Sequence, residues 1–140
     1  MTATGFSHSF TVRLHDIDAA GILFYGHLFR HAHDAYEGFM AAIGFPLHRL
    51  LAAGDCPLPL VHAEADYRQP LRHGDKIRVA LGVLAIGRTS FTLEYRFLDE
   101  GERERARAKT VHVRLGQDRT TGAPLPEELV RALDPWLTGT

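Results

Sequence analysis

The sequence predicts an α+β fold, an antiparallel sheet laid against one long helix. Three observations predict it. A strand-like alternation near the N-terminus gives way to one long run of helical periodicity from Gly26 to Gly44. Four more strand-like runs follow, and short turns separate most of them. Strands joined by short turns pair antiparallel, and a helix with a wide apolar stripe buries that stripe on the sheet they form.

Phe6 to Leu14 alternates, with Phe6, His8, Phe10, Val12 and Leu14 on the inward face. In the helical run, Leu28, Phe29, Ala32, Ala35, Tyr36, Phe39, Met40 and Ile43 recur at three- and four-residue spacing. Gly44 stops it and Pro46 discourages its continuation. Pro46 to Ala53 reads as a short second helix ended by Gly54. Leu60 to Arg68 is strand-like, and His73-Gly74-Asp75 makes a turn. Ile77, Val79, Leu81 and Val83 alternate inward on the next strand, and Phe91, Leu93, Tyr95 and Phe97 on the one after. Arg103 to Leu115 is the last strand. Ala106 and Ala108 argue for one inward phase and Val111 and Val113 for the other, which a bulge would reconcile. Glu127 to Leu137, behind Pro124 and Pro126, reads as a short helix.

The bulk properties bound the function. A chain of 140 residues without repeat or linker reads as a single domain, large enough for a hydrophobic core. Its 16 basic and 17 acidic side chains argue against a broad nucleic-acid footprint, which needs clustered positive charge. The one cysteine, Cys56, makes neither an intrachain disulfide nor a cysteine-based zinc site. The stretch Met1 to Phe10 has no leader-like basic and apolar regions, and no apolar run is long enough for a bilayer. A soluble cytoplasmic protein is the expectation.

The chemistry is concentrated between His15 and Tyr36. Asp16 and Asp18 interrupt the first strand, Ala19-Ala20-Gly21 makes a turn, and Ile22 to Tyr25 leads into the helix. A helix N-terminus offers unpaired N–H groups and a partial positive charge, which suit an oxyanion. A carboxylate beside it can attack a carbonyl or activate water. That combination suggests acyl transfer or hydrolysis. The competing reading makes Asp18 a cap or turn residue. Asp16 reads as a turn former or a partner to its neighbour. Gly21 fits a turn that needs positive φ or close approach of a substrate. His27 and His31 share a helix face, but H-E-x-x-H is absent and no third ligand is spaced for a metal. No phosphate-cradling glycine loop is present, so no cofactor is implied.

The pattern Asp16-Ile17-Asp18-Ala19-Ala20-Gly21-Ile22-Leu23-Phe24-Tyr25, continued by Asp55 to Asp75, resembles the 4-hydroxybenzoyl-CoA thioesterase family of hotdog proteins. Ala35-Tyr36-Glu37 and Pro59-Leu60-Val61-His62-Ala63 look closest to its 1,4-dihydroxy-2-naphthoyl-CoA hydrolase branch, which serves phylloquinone and menaquinone synthesis. The resemblance implies a curled sheet around one central helix and hydrolysis of an aromatic acyl-CoA. It makes Asp18 the catalytic aspartate and the Tyr25 backbone N–H the donor to the thioester oxygen. His62 sits where a polar group bonds the acyl hydroxyl; its competing reading is a satisfied core histidine. Arg88, Thr89 and Ser90 are placed for coenzyme A, with Arg68, Arg72 and Lys76 as further candidates. His33 and Glu37 border the pocket or form a solvated helix face. The family also implies a homodimer or homotetramer with active sites between subunits, and no nucleic-acid or membrane partner. The alternatives are a thioesterase for 4-hydroxybenzoyl or other acyl groups, and a non-catalytic acyl-CoA-binding domain.

Overall fold

A computed structural model describes residues 5–138. Residues 1–4, part of the stretch read above as no leader, lie outside the described residues, as do 139–140. Five strands form one sheet: β1 (Phe6–Thr11), β2 (Leu60–Tyr67), β3 (Lys76–Ile86), β4 (Ser90–Leu98) and β5 (Glu104–Val113). Their order is β1-β3-β4-β5-β2, and every neighbouring pair is antiparallel. The chain leaves β1 at one edge, builds two helices, and returns at the opposite edge as β2. The hairpins β3–β4–β5 then fill the space between.

The inward faces of β3 and β4 carry the residues their alternation predicts, and all eight are buried. β5 settles the conflict over its phase. Ala106, Ala108, Thr110 and His112 all face inward, while Val111 and Val113 are only half-buried. The pairing with β4 runs without a break from Ala106 to Val113, so no bulge separates the two phases; the register shift of β5 lies before them, where Phe97 pairs with Ala106 and Leu98 with Glu104. Two polar side chains occupy inward positions because each is paired: Tyr95 Oη lies 2.8 Å from Thr110 Oγ1, and His112 Nε2 lies 3.2 Å from that oxygen. β1 is shorter than its alternation suggests. The chain turns at Arg13 into a 3-10 turn, Leu14–Asp16, so Leu14 is 68% exposed rather than inward.

Helix α1 (Tyr25–Ala42) has 18 residues and buries Leu28, His31, Ala32, Ala35, Tyr36, Phe39 and Met40. Phe39 is held edge-on by Phe6 from β1 and by Trp136 from the C-terminal segment, at 5.6 and 5.5 Å between ring centroids. Phe29 and Ile43, expected in the stripe, sit at its margin. Helix α2 (Leu47–Ala53) ends at Gly54, whose φ of 70° is the left-handed closure that glycine accepts without strain. Helix α3 (Glu127–Leu133) is shorter than expected and passes into a 3-10 turn, Asp134–Trp136. Leu129 and Leu133 extend the core over β3. Among the described residues no helix is long and apolar enough to cross a membrane.

Candidate active site

The segment between β1 and α1 is built as a miniature hairpin. Asp18 N–H donates to Ile22 O at 2.9 Å, Gly21 N–H donates to Asp18 O at 3.0 Å, and Ile17 bridges Leu23. Gly21 adopts a φ of 79°, with no atom within 4 Å of where a Cβ would stand. The turn therefore requires glycine for its left-handed backbone rather than for space. The returning arm is bound to the chain beyond β2, since Leu23 N–H donates to Leu71 O at 2.7 Å.

Asp16 anchors this hairpin. Its carboxylate is fully buried and accepts from Arg13 N–H at 2.8 Å, from His31 Nε2 at 3.1 Å, and from Arg30. Its backbone oxygen accepts Phe24 N–H at 2.9 Å, which ties the hairpin to the start of α1. Burial alone would raise the Asp16 carboxyl, but the Arg13 N–H, the His31 ring and Arg30 hold it below the ordinary carboxylate value. Burial pushes His31 down more strongly than Asp16 pulls it up, so its ring is neutral. That ring is stacked on Phe10 at 3.7 Å. The histidine that sequence spacing offers as a metal candidate is thus a hydrogen-bond donor in the core. Among the described residues no group of three or more His, Cys, Asp or Glu side chains is placed to hold a metal ion.

Asp18 has the opposite environment. It is exposed, and one carboxylate oxygen accepts Ala20 N–H at 2.8 Å. It lines a cleft of about 300 Å³ together with Ile22, Tyr25, Tyr67, Gln69 and Leu71. Phe24, the residue capping α1, supplies no side-chain acceptor; His27 N–H donates to Phe24 O at 2.9 Å, and the N–H groups of Tyr25 and Gly26 are left for a ligand. Tyr67, at the end of β2, donates its hydroxyl to Tyr25 O at 2.6 Å and fixes that first turn against the sheet edge. Nothing in the sequence singled out Tyr67, whose role depends on β2 returning beside α1.

The structure brings Asp18, Gly21 and Tyr25 together and leaves the other candidates elsewhere. His62 is an exposed residue of β2, 2.9 Å from Glu64, and it belongs neither to the Asp18 cleft nor to the core. Arg88, Thr89 and Ser90 form the β3–β4 hairpin, where Thr89 O accepts Arg114 N–H and Arg88 O accepts Leu125 N–H. Ser90 pairs with Val113, whereas Tyr67 pairs with Ala106, so within one chain this hairpin and the Asp18 cleft lie at opposite ends of β5. Seven residues of strand separate them, roughly 20 Å or more. Arg68 lines the cleft but is paired with Glu104 at 2.6 Å.

A second cavity, about 460 Å³, opens where α1, α2 and the start of β2 converge. Leu47, Leu50, Leu51 and Leu58 form its walls, and Tyr36 and His112 contribute polar atoms. His33 and Glu37 also border it.

An exposed carboxylate in one cleft with an uncapped helix N-terminus is an arrangement that acyl-group hydrolysis can use. The thioesterase-like superfamily model matches residues 12–133, and the chain belongs to that family. Its fold is the hotdog thioesterase fold, a five-stranded antiparallel sheet with helices. The 1,4-dihydroxy-2-naphthoyl-CoA hydrolase of Synechococcus elongatus is 38% identical over 84% of this chain and 87% of its own length. That of Rippkaea orientalis is 34% identical over 93% of each. The crystal structure of a 1,4-dihydroxy-2-naphthoyl-CoA thioesterase from Synechocystis superposes with a TM-score of 0.87 at 30% identity, covering 94% of this chain and 96% of that one. A gentisyl-coenzyme A thioesterase superposes at 0.81 with 26% identity, covering 91% of this chain and 98% of that one.

Proposed function

We propose that this chain, as a single domain with its sheet curled round α1, hydrolyses 1,4-dihydroxy-2-naphthoyl-CoA in quinone synthesis. The observation that carries the reading is the Asp18 carboxylate in one cleft with the open N-terminus of α1. The relatives that share most of the chain's length carry the substrate. The thioester oxygen accepts the Tyr25 N–H, a contact that strengthens as the oxygen gains charge and is worth about 3 kcal/mol in comparable sites. Asp18 either attacks the carbonyl carbon, releasing coenzyme A thiolate and leaving a mixed anhydride for water to cleave, or takes the proton of an attacking water.

The active unit is at least a dimer. β2 is an edge strand, paired among the described residues with β5 alone, on which Leu60, Val61 and Tyr67 are exposed. In an antiparallel pair of β2 strands, the N-terminal end of one copy meets the C-terminal end of the other. Pairing of this kind carries the Arg88-Thr89-Ser90 hairpin and His62 of one copy toward the Asp18 cleft of its neighbour. It accounts for candidates that stand apart within one chain.

The test is steady-state thiol release from a thioester panel by wild type and Asp18→Asn. Cleavage of 1,4-dihydroxy-2-naphthoyl-CoA well above gentisyl, 4-hydroxybenzoyl and aliphatic CoA is expected. The folded Asp18→Asn protein should lose at least about 100-fold in turnover. A preference for gentisyl-CoA, which the second structural relative favours, would move the substrate but keep the chemistry. Binding without turnover of any thioester would leave a non-catalytic acyl-CoA domain.

A further inference from the structure

The cavity between α1, α2 and the start of β2 has features that the Asp18 cleft lacks. Tyr36 is 3% exposed, yet its hydroxyl makes no hydrogen bond among the described residues. A phenol this deeply buried ordinarily has a partner. Burial holds the phenol far above its ordinary value, so it is a neutral donor. The Tyr36 ring stacks on His112 at 4.3 Å and 13°, and His112 stacks on Phe91 at 5.3 Å and 16°. His112 spends its own nitrogens on Leu58 O and Thr110 Oγ1. The result is a rigid pile of flat rings that fixes the Tyr36 hydroxyl against a leucine-rich wall, in a chamber whose border also carries His33, Glu37 and Arg119. Its volume falls within the range of small-molecule sites.

We propose that this cavity receives the fused aromatic ring of the acyl group, and that the Tyr36 hydroxyl donates to the C4 hydroxyl, meta to the carbon that bears the thioester. The assignment rests on the aromatic-thioesterase reading above. Within one chain, eight helical residues separate Tyr25 from His33, about 12 Å, more than an acyl group spans from its carbonyl. The Asp18 that reacts therefore belongs to a second copy, whose β2 C-terminal end adjoins this cavity in the antiparallel pair. Tyr36 is a specificity residue, and His112 is the positioning residue that holds its ring. His62, the sequence's candidate for the same hydroxyl, is replaced in this role.

The experiment is a fluorescence titration of the intact protein with 4-hydroxy-2-naphthoate and with 2-naphthoate, run alongside turnover of 1,4-dihydroxy-2-naphthoyl-CoA. Wild type should bind the hydroxylated acid about three- to tenfold more tightly, the worth of one hydrogen bond. Tyr36→Phe should bring the two acids to parity while leaving 2-naphthoate unchanged. Leu51→Arg, at a wall residue 82% exposed and so tolerant of charge, should lose both acids and the turnover together. Asp18→Asn should bind as wild type. The assignment is overturned if neither acid binds, if the preference survives Tyr36→Phe, or if Leu51→Arg binds and turns over normally. Normal turnover in Leu51→Arg would sink the cavity and spare the enzyme, whereas the expected binding without any turnover would do the reverse.

Discussion

Two carboxylates two residues apart in one motif have been given opposite tasks by burial. Asp16 faces Arg30, the neutral His31 ring and a backbone N–H in the interior, whereas Asp18 faces solvent with one turn N–H. Breaking a buried charged cluster by removing one member costs about 3 kcal/mol or more, because the remaining charge is left uncompensated. Asp16→Asn should therefore lower the urea-unfolding free energy by about 3 kcal/mol. Asp18→Asn keeps its turn, since asparagine forms the same local hydrogen bond, and should stay within about 0.5 kcal/mol of wild type. An Asp16→Asn protein as stable as wild type would mean that the cluster does not anchor the loop. The resemblance to the thioesterase pattern pointed to Asp18 as the reacting group. It did not tell that Asp16 holds it in place, because Arg30 and His31 reach Asp16 from a helix whose orientation no spacing specifies.

At the scale of elements, β2 is the feature that the sequence described well locally and could not place. Composition and flanking turns predict Leu60 to Arg68, and the strand runs Leu60–Tyr67. Its exposure does not, because a run containing Leu60, Val61 and Tyr67 reads as buried until the topology puts it at an edge beside β5 alone. Such an edge invites pairing with another copy. Wild type should sediment as a dimer or larger. Val61→Lys, which sets a charge on that edge, should shift the mass toward the single chain and make specific activity fall on dilution. A fully active wild type that sediments as one chain would overturn the paired arrangement. The same limit explains the errors elsewhere. The inward alternation of β3 and β4 was legible because every inward position is apolar. That of β5 was ambiguous because Thr110 and His112 are inward, and their partners Tyr95 and Leu58 come from other elements. The Tyr36 cavity was illegible for a related reason: its walls come from α1, α2, β5 and the segment before β2.

The whole molecule concentrates its pH sensitivity on the acid side, in two stages of different origin. Glu104 would be raised by its burial, but the guanidinium groups of Arg107, Arg96 and Arg68 draw it down to about 2. Asp16 and Asp99 are also held below the ordinary carboxylate value. These groups contribute stability that is complete above about pH 4.5 and disappears as pH falls toward the folded values, because the unfolded chain takes up protons first. His112 acts earlier. Burial pushes it down to about 4, with His33 across the cavity adding to the effect and Leu58 O opposing it. Between about pH 6.5 and 4 the unfolded chain protonates this imidazole and the folded chain does not. His31, likewise lowered, adds in the same direction. Stability measured by urea unfolding should be level near pH 7 and decline below about 6.5, each histidine contributing a slope of up to about 1.4 kcal/mol per pH unit. A steeper fall should follow below about 4.5. His112→Phe keeps the ring between Tyr36 and Phe91 and removes the proton site, so it should make the first stage shallower, leaving the share of His31, without touching the second. A wild type that stays level down to pH 4.5 would mean that His112 protonates freely in the folded chain. A neutral ring stack could not then be what holds Tyr36.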